Sequence, residues 1–163
     1  MTRVKICGLM SRQDLYYALA AGADAVGFVV EIDSSRHCLS AGEAADLIRR
    51  VPIYCKSVAV INPRDVDDAL RLAHETGAEA LQVHGSLSPV DLAELKGQAY
   101  QKIIAAVAAE PGGDEARRYA AVADAILLDS MVGGTLGGTG KVHDWLISAE
   151  IAASLKVPVI LAG

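Results

Sequence analysis

Two residues at the ends of apolar runs carry the chemistry of this 163-residue chain. Cys7 closes Val4-Lys5-Ile6-Cys7, and Asp129 follows Ala125-Ile126-Leu127-Leu128. A thiol and a carboxyl facing each other across a pocket suit a base and an acid working on opposite sides of one small substrate. Three further features could support them. Arg36, in Asp33-Ser34-Ser35-Arg36-His37, has the planar fork that clamps a carboxylate bidentately. His84, in Gln82-Val83-His84-Gly85, adds a titrating group after another apolar run. The run Gly133-Gly134-Thr135-Leu136-Gly137-Gly138-Thr139-Gly140-Lys141 is rich enough in glycine to fold over a ligand and offer it backbone N–H groups. It is neither a Walker loop, since Val142 follows Gly140-Lys141, nor a dinucleotide fingerprint. Taken singly, each residue has a plainer role. A strand cysteine is usually a small buried hydrophobe, an Asp after a strand a turn or cap residue, a loop arginine a solvated charge, and a glycine run a surface linker.

The elements that must hold these groups alternate along the chain. Apolar runs at Val4–Cys7, Ala25–Val30, Ser57–Ile61, Ala80–Val83, Lys102–Val107, Ala125–Leu128 and Pro158–Ala162 are nearly continuous, as in strands covered by helices on both faces. Helix starts lie between them. Ser11-Arg12-Gln13-Asp14 and Ser40-Ala41-Gly42-Glu43 resemble capping boxes, while Asn62-Pro63-Arg64-Asp65 and Ser88-Pro89-Val90-Asp91 place proline at a first helical position. Gly22 and Gly77 sit where helices should stop. The pattern predicts an α/β fold with a parallel sheet. A repeat refines it: Ala21-Gly22-Ala23-Asp24-Ala25-Val26 recurs as Thr76-Gly77-Ala78-Glu79-Ala80-Leu81 and more loosely as Ala121-Val122-Ala123-Asp124-Ala125-Ile126, so two strand–helix units take about fifty residues. Eight units would fill a (β/α)8 TIM barrel. Seven strands and six helices are expected here, making residues 1–163 a single barrel domain lacking its last helix, strand and helix. By the same arithmetic the natural chain should continue for about forty residues. In such a barrel Cys7 and Asp129 end the first and sixth strands, three apart around the ring, at the mouth where active sites form. Alternation puts Lys5 and Cys7 on one strand face, the interior one, and pairs Leu127 with Asp129.

Composition excludes several classes. Hydrophobic residues are 52% and charged residues 21%, and mean hydropathy is +0.31, which is globular rather than disordered composition. A net charge of −5 argues against a nucleic-acid or anionic-membrane surface. Three cysteines, Cys7, Cys38 and Cys55, are an odd set without metal-ligand spacing, which points to a reducing cytoplasm, with neither a disulfide framework nor a zinc site. No apolar run approaches the ~20 residues of a membrane span, and no targeting segment opens the chain.

In order along the chain, Val4-Lys5-Ile6-Cys7-Gly8-Leu9, Ala21–Phe28, Ser34-Ser35-Arg36, Gln82-Val83-His84-Gly85, Leu127-Leu128-Asp129-Ser130, Gly137-Gly138-Thr139-Gly140-Lys141 with Asp144-Trp145, and Pro158–Gly163 resemble the phosphoribosylanthranilate isomerase family of tryptophan biosynthesis. The resemblance implies an Amadori rearrangement of N-(5-phosphoribosyl)anthranilate to the 1-(2-carboxyphenylamino)-1-deoxyribulose ketose, with no cofactor or metal. It implies Asp129 as general acid, Cys7 as general base and Arg36 as the group binding the anthranilate carboxylate. His84, Gly137 and Gly138 join the substrate-binding set, with Gly163 as the first residue of the family's Gly-Gly phosphate loop. The implied partner is a small phosphorylated substrate, and the protein a monomer or homodimer. A free thiol titrates near ~8.5, so such a base needs a stabilised thiolate, to which Lys5 can contribute; a free aspartic acid titrates near ~4, so such an acid needs burial or a negative neighbour. The chain departs from the family pattern at Ser86, Leu87, His143, Thr135 and Leu136. Two other readings stay open: a different phosphate-binding barrel, such as the histidine-pathway Amadori isomerase, from which Cys7 separates it, or a non-catalytic barrel fragment acting through a partner.

Overall fold

The computed structural model describes residues 2–85, 87–129 and 144–162. The strands are β1 (Lys5–Cys7), β2 (Ala25–Val30), β3 (Cys38–Leu39), β4 (Lys56–Ile61), β5 (Ala80–Val83), β6 (Lys102–Ala108), β7 (Ala125–Asp129) and β8 (Val159–Ala162). Helices α1 (Arg12–Ala20), α2 (Ala41–Ile48), α3 (Val66–Thr76), α4 (Pro89–Gln98), α5 (Asp114–Ala120) and α6 (Trp145–Ser154) alternate with them. All pairings are parallel, in the order β1-β2-β4-β5-β6-β7-β8, with the two-residue β3 attached to β2. Every strand therefore ends at the same rim. Among the described residues β1 pairs only with β2 and β8 only with β7.

Local chemistry explains where helices begin and end. At α2 the Ser40 hydroxyl accepts from the Glu43 amide while the Glu43 carboxylate accepts from the Ser40 amide, and Ser88 and Asp91 repeat this at α4. Each box satisfies two backbone donors that the first helical turn leaves unpaired. Pro89 opens α4 at its first turn. Pro63 does not do the same for α3. There the Asp65 side chain accepts from the Asp68 amide at 2.8 Å and the helix starts at Val66; the stronger side-chain cap sets the boundary and leaves the proline in the approach. Helix α3 stops at Gly77, whose φ of 63° would strain a residue bearing a Cβ.

Two apolar layers follow from strand alternation. On the convex face Val26, Phe28 and Val30 of β2, Ala59 and Ile61 of β4, Leu81 and Val83 of β5, and Ile103, Ala105 and Val107 of β6 pack beneath the helices. Helix α3 presents Ala69, Leu72, Ala73 and Thr76, a helical spacing that keeps one stripe on the sheet. On the concave face Val58, Ala80, Ile104 and Leu127 form a smaller cluster flanked by Ala25, Ala106, Ala125, Ile160 and Ala162. Burial on both sides is why these strands read as unbroken apolar runs. The edge strands are the exceptions: Ile6 of β1 is 39% and Leu161 of β8 48% exposed, so these outer side chains are not covered by a helix as the alternation alone suggests.

Candidate active site at the rim of the sheet

Cys7 is the last residue of β1 and lies in register with Gly27 of β2. The chain turns sharply after it: Gly8 takes φ 81°, and the Gly8 and Leu9 amides both donate to the Gly27 carbonyl, at 3.0 and 3.1 Å. The thiol is exposed, so Cys7 is not a core filler. A Cβ on Gly27 would stand 2.6 Å from Cys7 Sγ and 2.9 Å from Lys5 Cε. The two side chains thus occupy the space above a residue that has none.

Lys5 joins Cys7 to a second strand. Its Nζ donates to Cys7 Sγ at 3.2 Å and to Gln82 Oε1 at 2.7 Å. Gln82 sits on β5, two residues from Ala80 of the concave cluster, so Lys5 reaches across the inside of the sheet, over β2 and β4. The other end of the Gln82 amide lies 2.6 Å from His84 Nε2. Lysine has only donors, so the Gln82 atom facing it is the carbonyl, and the amide NH2 donates to the imidazole. His84 Nε2 therefore accepts, and its ring proton is on Nδ1. Burial, reinforced by the Lys5 charge, lowers the His84 pKa from its ordinary 6.5 to about 4. The imidazole is neutral across the physiological range.

Asp129 ends β7 two residues after Leu127 of the concave cluster. Alternation places its side chain on that same face, and the residue is 4% exposed. Arg36 is in the turn between β2 and β3 and is exposed; its Nε donates to His37 Nε2 at 3.3 Å. The His37 ring lies over Gly8, with Cγ 3.2 Å from where a Gly8 Cβ would be. That contact brings the Arg36 turn against the turn leaving Cys7. The structure thus gathers Cys7, Lys5, Gln82 and His84 into one hydrogen-bonded line, sets Asp129 at the same rim and face, and brings the turn that carries Arg36 against the turn after Cys7 through His37 and Gly8. Gly137, Gly138 and Gly163 lie outside the described residues. Sequence reasoning passed over Gln82 and Gly27. Their signals were available: a polar residue two before His84 within an apolar strand, and a glycine inside Ala25–Val30. Among the described residues no cluster of three or more His, Cys, Asp or Glu could hold a metal, and no helix is long and apolar enough to cross a membrane.

A parallel α/β sheet that gathers Cys7, His84 and Asp129 at the carboxyl ends of its strands has the working face of a (β/α)8-barrel enzyme. The sequence model of the N-(5′-phosphoribosyl)anthranilate (PRA) isomerase family matches residues 4–163, and the chain belongs to that family. A curated N-(5′-phosphoribosyl)anthranilate isomerase of Methanothrix thermoacetophila is 53% identical over all of this chain and 77% of its own. The crystal structure of phosphoribosyl anthranilate isomerase from Thermotoga maritima superposes with a TM-score of 0.84 at 27% identity, over 100% of this chain and 77% of that one. A second structure, of phosphoribosyl anthranilate isomerase in complex with reduced 1-(o-carboxyphenylamino)-1-deoxyribulose 5-phosphate, has a TM-score of 0.79 at 25% identity, over 99% of this chain and 75% of that one. The reaction is the isomerisation of phosphoribosylanthranilate in tryptophan biosynthesis.

Proposed function

We propose that the chain carries out this rearrangement with Asp129 as general acid and Cys7 as general base, while Arg36 binds the anthranilate carboxylate and His84 contacts the substrate. In the first step the Asp129 carboxyl gives its proton to the furanose ring oxygen. The bond from C1′ to that oxygen breaks, and the anilino nitrogen lone pair closes a C1′=N bond. In the second step the Cys7 thiolate takes the proton on C2′. The C2′–H electron pair becomes the C1′=C2′ bond, the C=N pair returns to nitrogen, and the enolamine so formed tautomerises to the ketose. Both steps are proton transfers and use neither metal nor cofactor. Gly137, Gly138 and Gly163 complete the substrate-binding set of this reading.

The observation that carries the reading is the contrast between two environments. Cys7 is exposed with an ammonium 3.2 Å from its sulfur, whereas Asp129 is buried at the end of its strand. The ligand held by the related structure has both a carboxylate and a phosphate, consistent with an exposed arginine in the turn that packs against the one after Cys7. The test is the loss of phosphoribosylanthranilate fluorescence on conversion. Cys7→Ala and Asp129→Asn should each lower kcat by about 10²–10⁴-fold while the far-ultraviolet circular dichroism stays native. Near-wild-type turnover in a folded Cys7→Ala protein would refute the base, and the same result for Asp129→Asn would refute the acid.

A further inference from the structure

Resting on the assignment of Cys7 as the base, we propose that Lys5 is the positioning residue of that base, and that Gln82 keeps Lys5 in place. Lys5 Nζ meets Cys7 Sγ at 3.2 Å and Gln82 Oε1 at 2.7 Å, and among the described residues it forms no ion pair with a carboxylate. Its charge is therefore directed at the sulfur. An ammonium donating to sulfur stabilises the thiolate over the thiol, and it also fixes the side-chain rotamer from which the sulfur acts.

Gln82 supplies what a flexible lysine lacks. The four-carbon stem has rotamer freedom that would otherwise carry the ammonium into solvent. The Gln82 carbonyl anchors it, and Gln82 is in turn oriented by its amide bond to His84 Nε2 at 2.6 Å. A neutral His84 is required for this, because an imidazolium would present a donor to a donor; the buried, lysine-facing ring meets that requirement. Gly27 completes the arrangement from below. A Cβ there would come within 2.6 Å of the sulfur and 3.2 Å of Lys5 Nζ, so glycine leaves the space in which the pair forms.

During the C2′ proton transfer Lys5 gives up no proton. It remains an ammonium while the sulfur passes from thiolate to thiol, so its loss should weaken the base without removing it. The test compares Lys5→Met, Lys5→Arg, Gln82→Leu and Cys7→Ala in the full chain. Iodoacetamide labelling at pH 7 is followed on the Cys7 peptide by mass spectrometry, with the partly buried Cys38 as internal reference, alongside steady-state kcat and KM. Lys5→Met should slow Cys7 alkylation by about tenfold or more and lower kcat by a similar factor, with KM changed less than about twofold. Lys5→Arg should recover most of both, since it restores a fixed positive donor, and Gln82→Leu should fall between wild type and Lys5→Met. A merely structural lysine would leave the Cys7 to Cys38 labelling ratio unchanged. Wild-type labelling and kcat in folded Lys5→Met would overturn the proposal, and if that variant does not fold, wild-type values in Gln82→Leu would do so. Inactive Cys7→Ala beside wild-type Lys5→Met would reject the role of Lys5 and leave the base standing. Active Cys7→Ala would reject the base itself, and with it the proposal.

Discussion

The neutral imidazole of His84 makes the stability of the fold depend on pH in a calculable way. In the folded chain its pKa is lowered to about 4, first by burial and then by the Lys5 charge, while the unfolded chain leaves it near 6.5. Between those values the unfolded state binds the proton and the folded state does not. Stability is therefore fully present above about pH 6.5, declines as pH falls through that value, and stops declining below about pH 4. The complete effect is about 3 kcal/mol, and by pH 5 about 2 kcal/mol of it is already lost relative to pH 7. Other groups titrate in the same range, so the measurement is a difference. Urea unfolding of wild type and His84→Asn is compared at half-unit steps from pH 7.5 to 4. Asparagine can still accept from the Gln82 amide but does not titrate, so the wild-type curve should drop relative to the variant by the amounts given. Adding Lys5→Met should shrink the gap modestly, because the lysine is the lesser of the two causes. A gap that is flat between pH 7 and 5, or that widens in favour of wild type on acidification, would refute the neutral, buried imidazole and the direction of the hydrogen-bonded line.

Three further outcomes can be checked directly. Arg36→Met should raise KM for phosphoribosylanthranilate by about 10–100-fold, the worth of a charge-assisted hydrogen bond, with a smaller effect on kcat, measured by the fluorescence assay. Gly77→Ala should cost about 1 kcal/mol in urea unfolding, because the left-handed cap is strained for alanine but nothing lies within 4 Å of the new methyl. Gly85→Ala should cost about 3 kcal/mol, since it combines φ 90° with a methyl driven into the Asn62 side chain; equal losses at the two glycines would contradict the packing at Gly85.

Much of the scaffold could be read from one-dimensional pattern. Strands such as Ala25–Val30 and Ala80–Val83 coincide with their apolar runs, because burial on both faces keeps the residues at their ends apolar. The two-residue β3 could not be read so. Cys38 and Leu39 follow a polar turn and, among the described residues, pair only with Val29 and Val30, a tertiary contact with no local signature. Asn62-Pro63-Arg64-Asp65 pointed to a helix start at the proline, and only the geometry of Asp65 moves it to Val66. The candidate site shows the same division. Cys7, Asp129 and His84 announce themselves by type and place at strand ends. The partnership of Lys5 with Gln82 does not, since it joins residues 77 positions apart and depends on how the sheet bends.

That bend has a mechanical consequence. Lys5 and Gln82 belong to strands three hydrogen-bonded steps apart, through β2 and β4. On a flat sheet those steps would separate the two backbones by about 14 Å, and side chains rising perpendicular from it would run side by side without converging. A 2.7 Å bond between them is a bowstring, and the strands beneath it are the bow. Straightening the bow would part the string before any strand unpaired, releasing the ammonium from its anchor and loosening its hold on the sulfur. If Lys5 positions the base as proposed, the reactivity of Cys7 is geared to the arch of the wall it stands on. Gly27, lying under the string, is the gap that lets it be drawn tight.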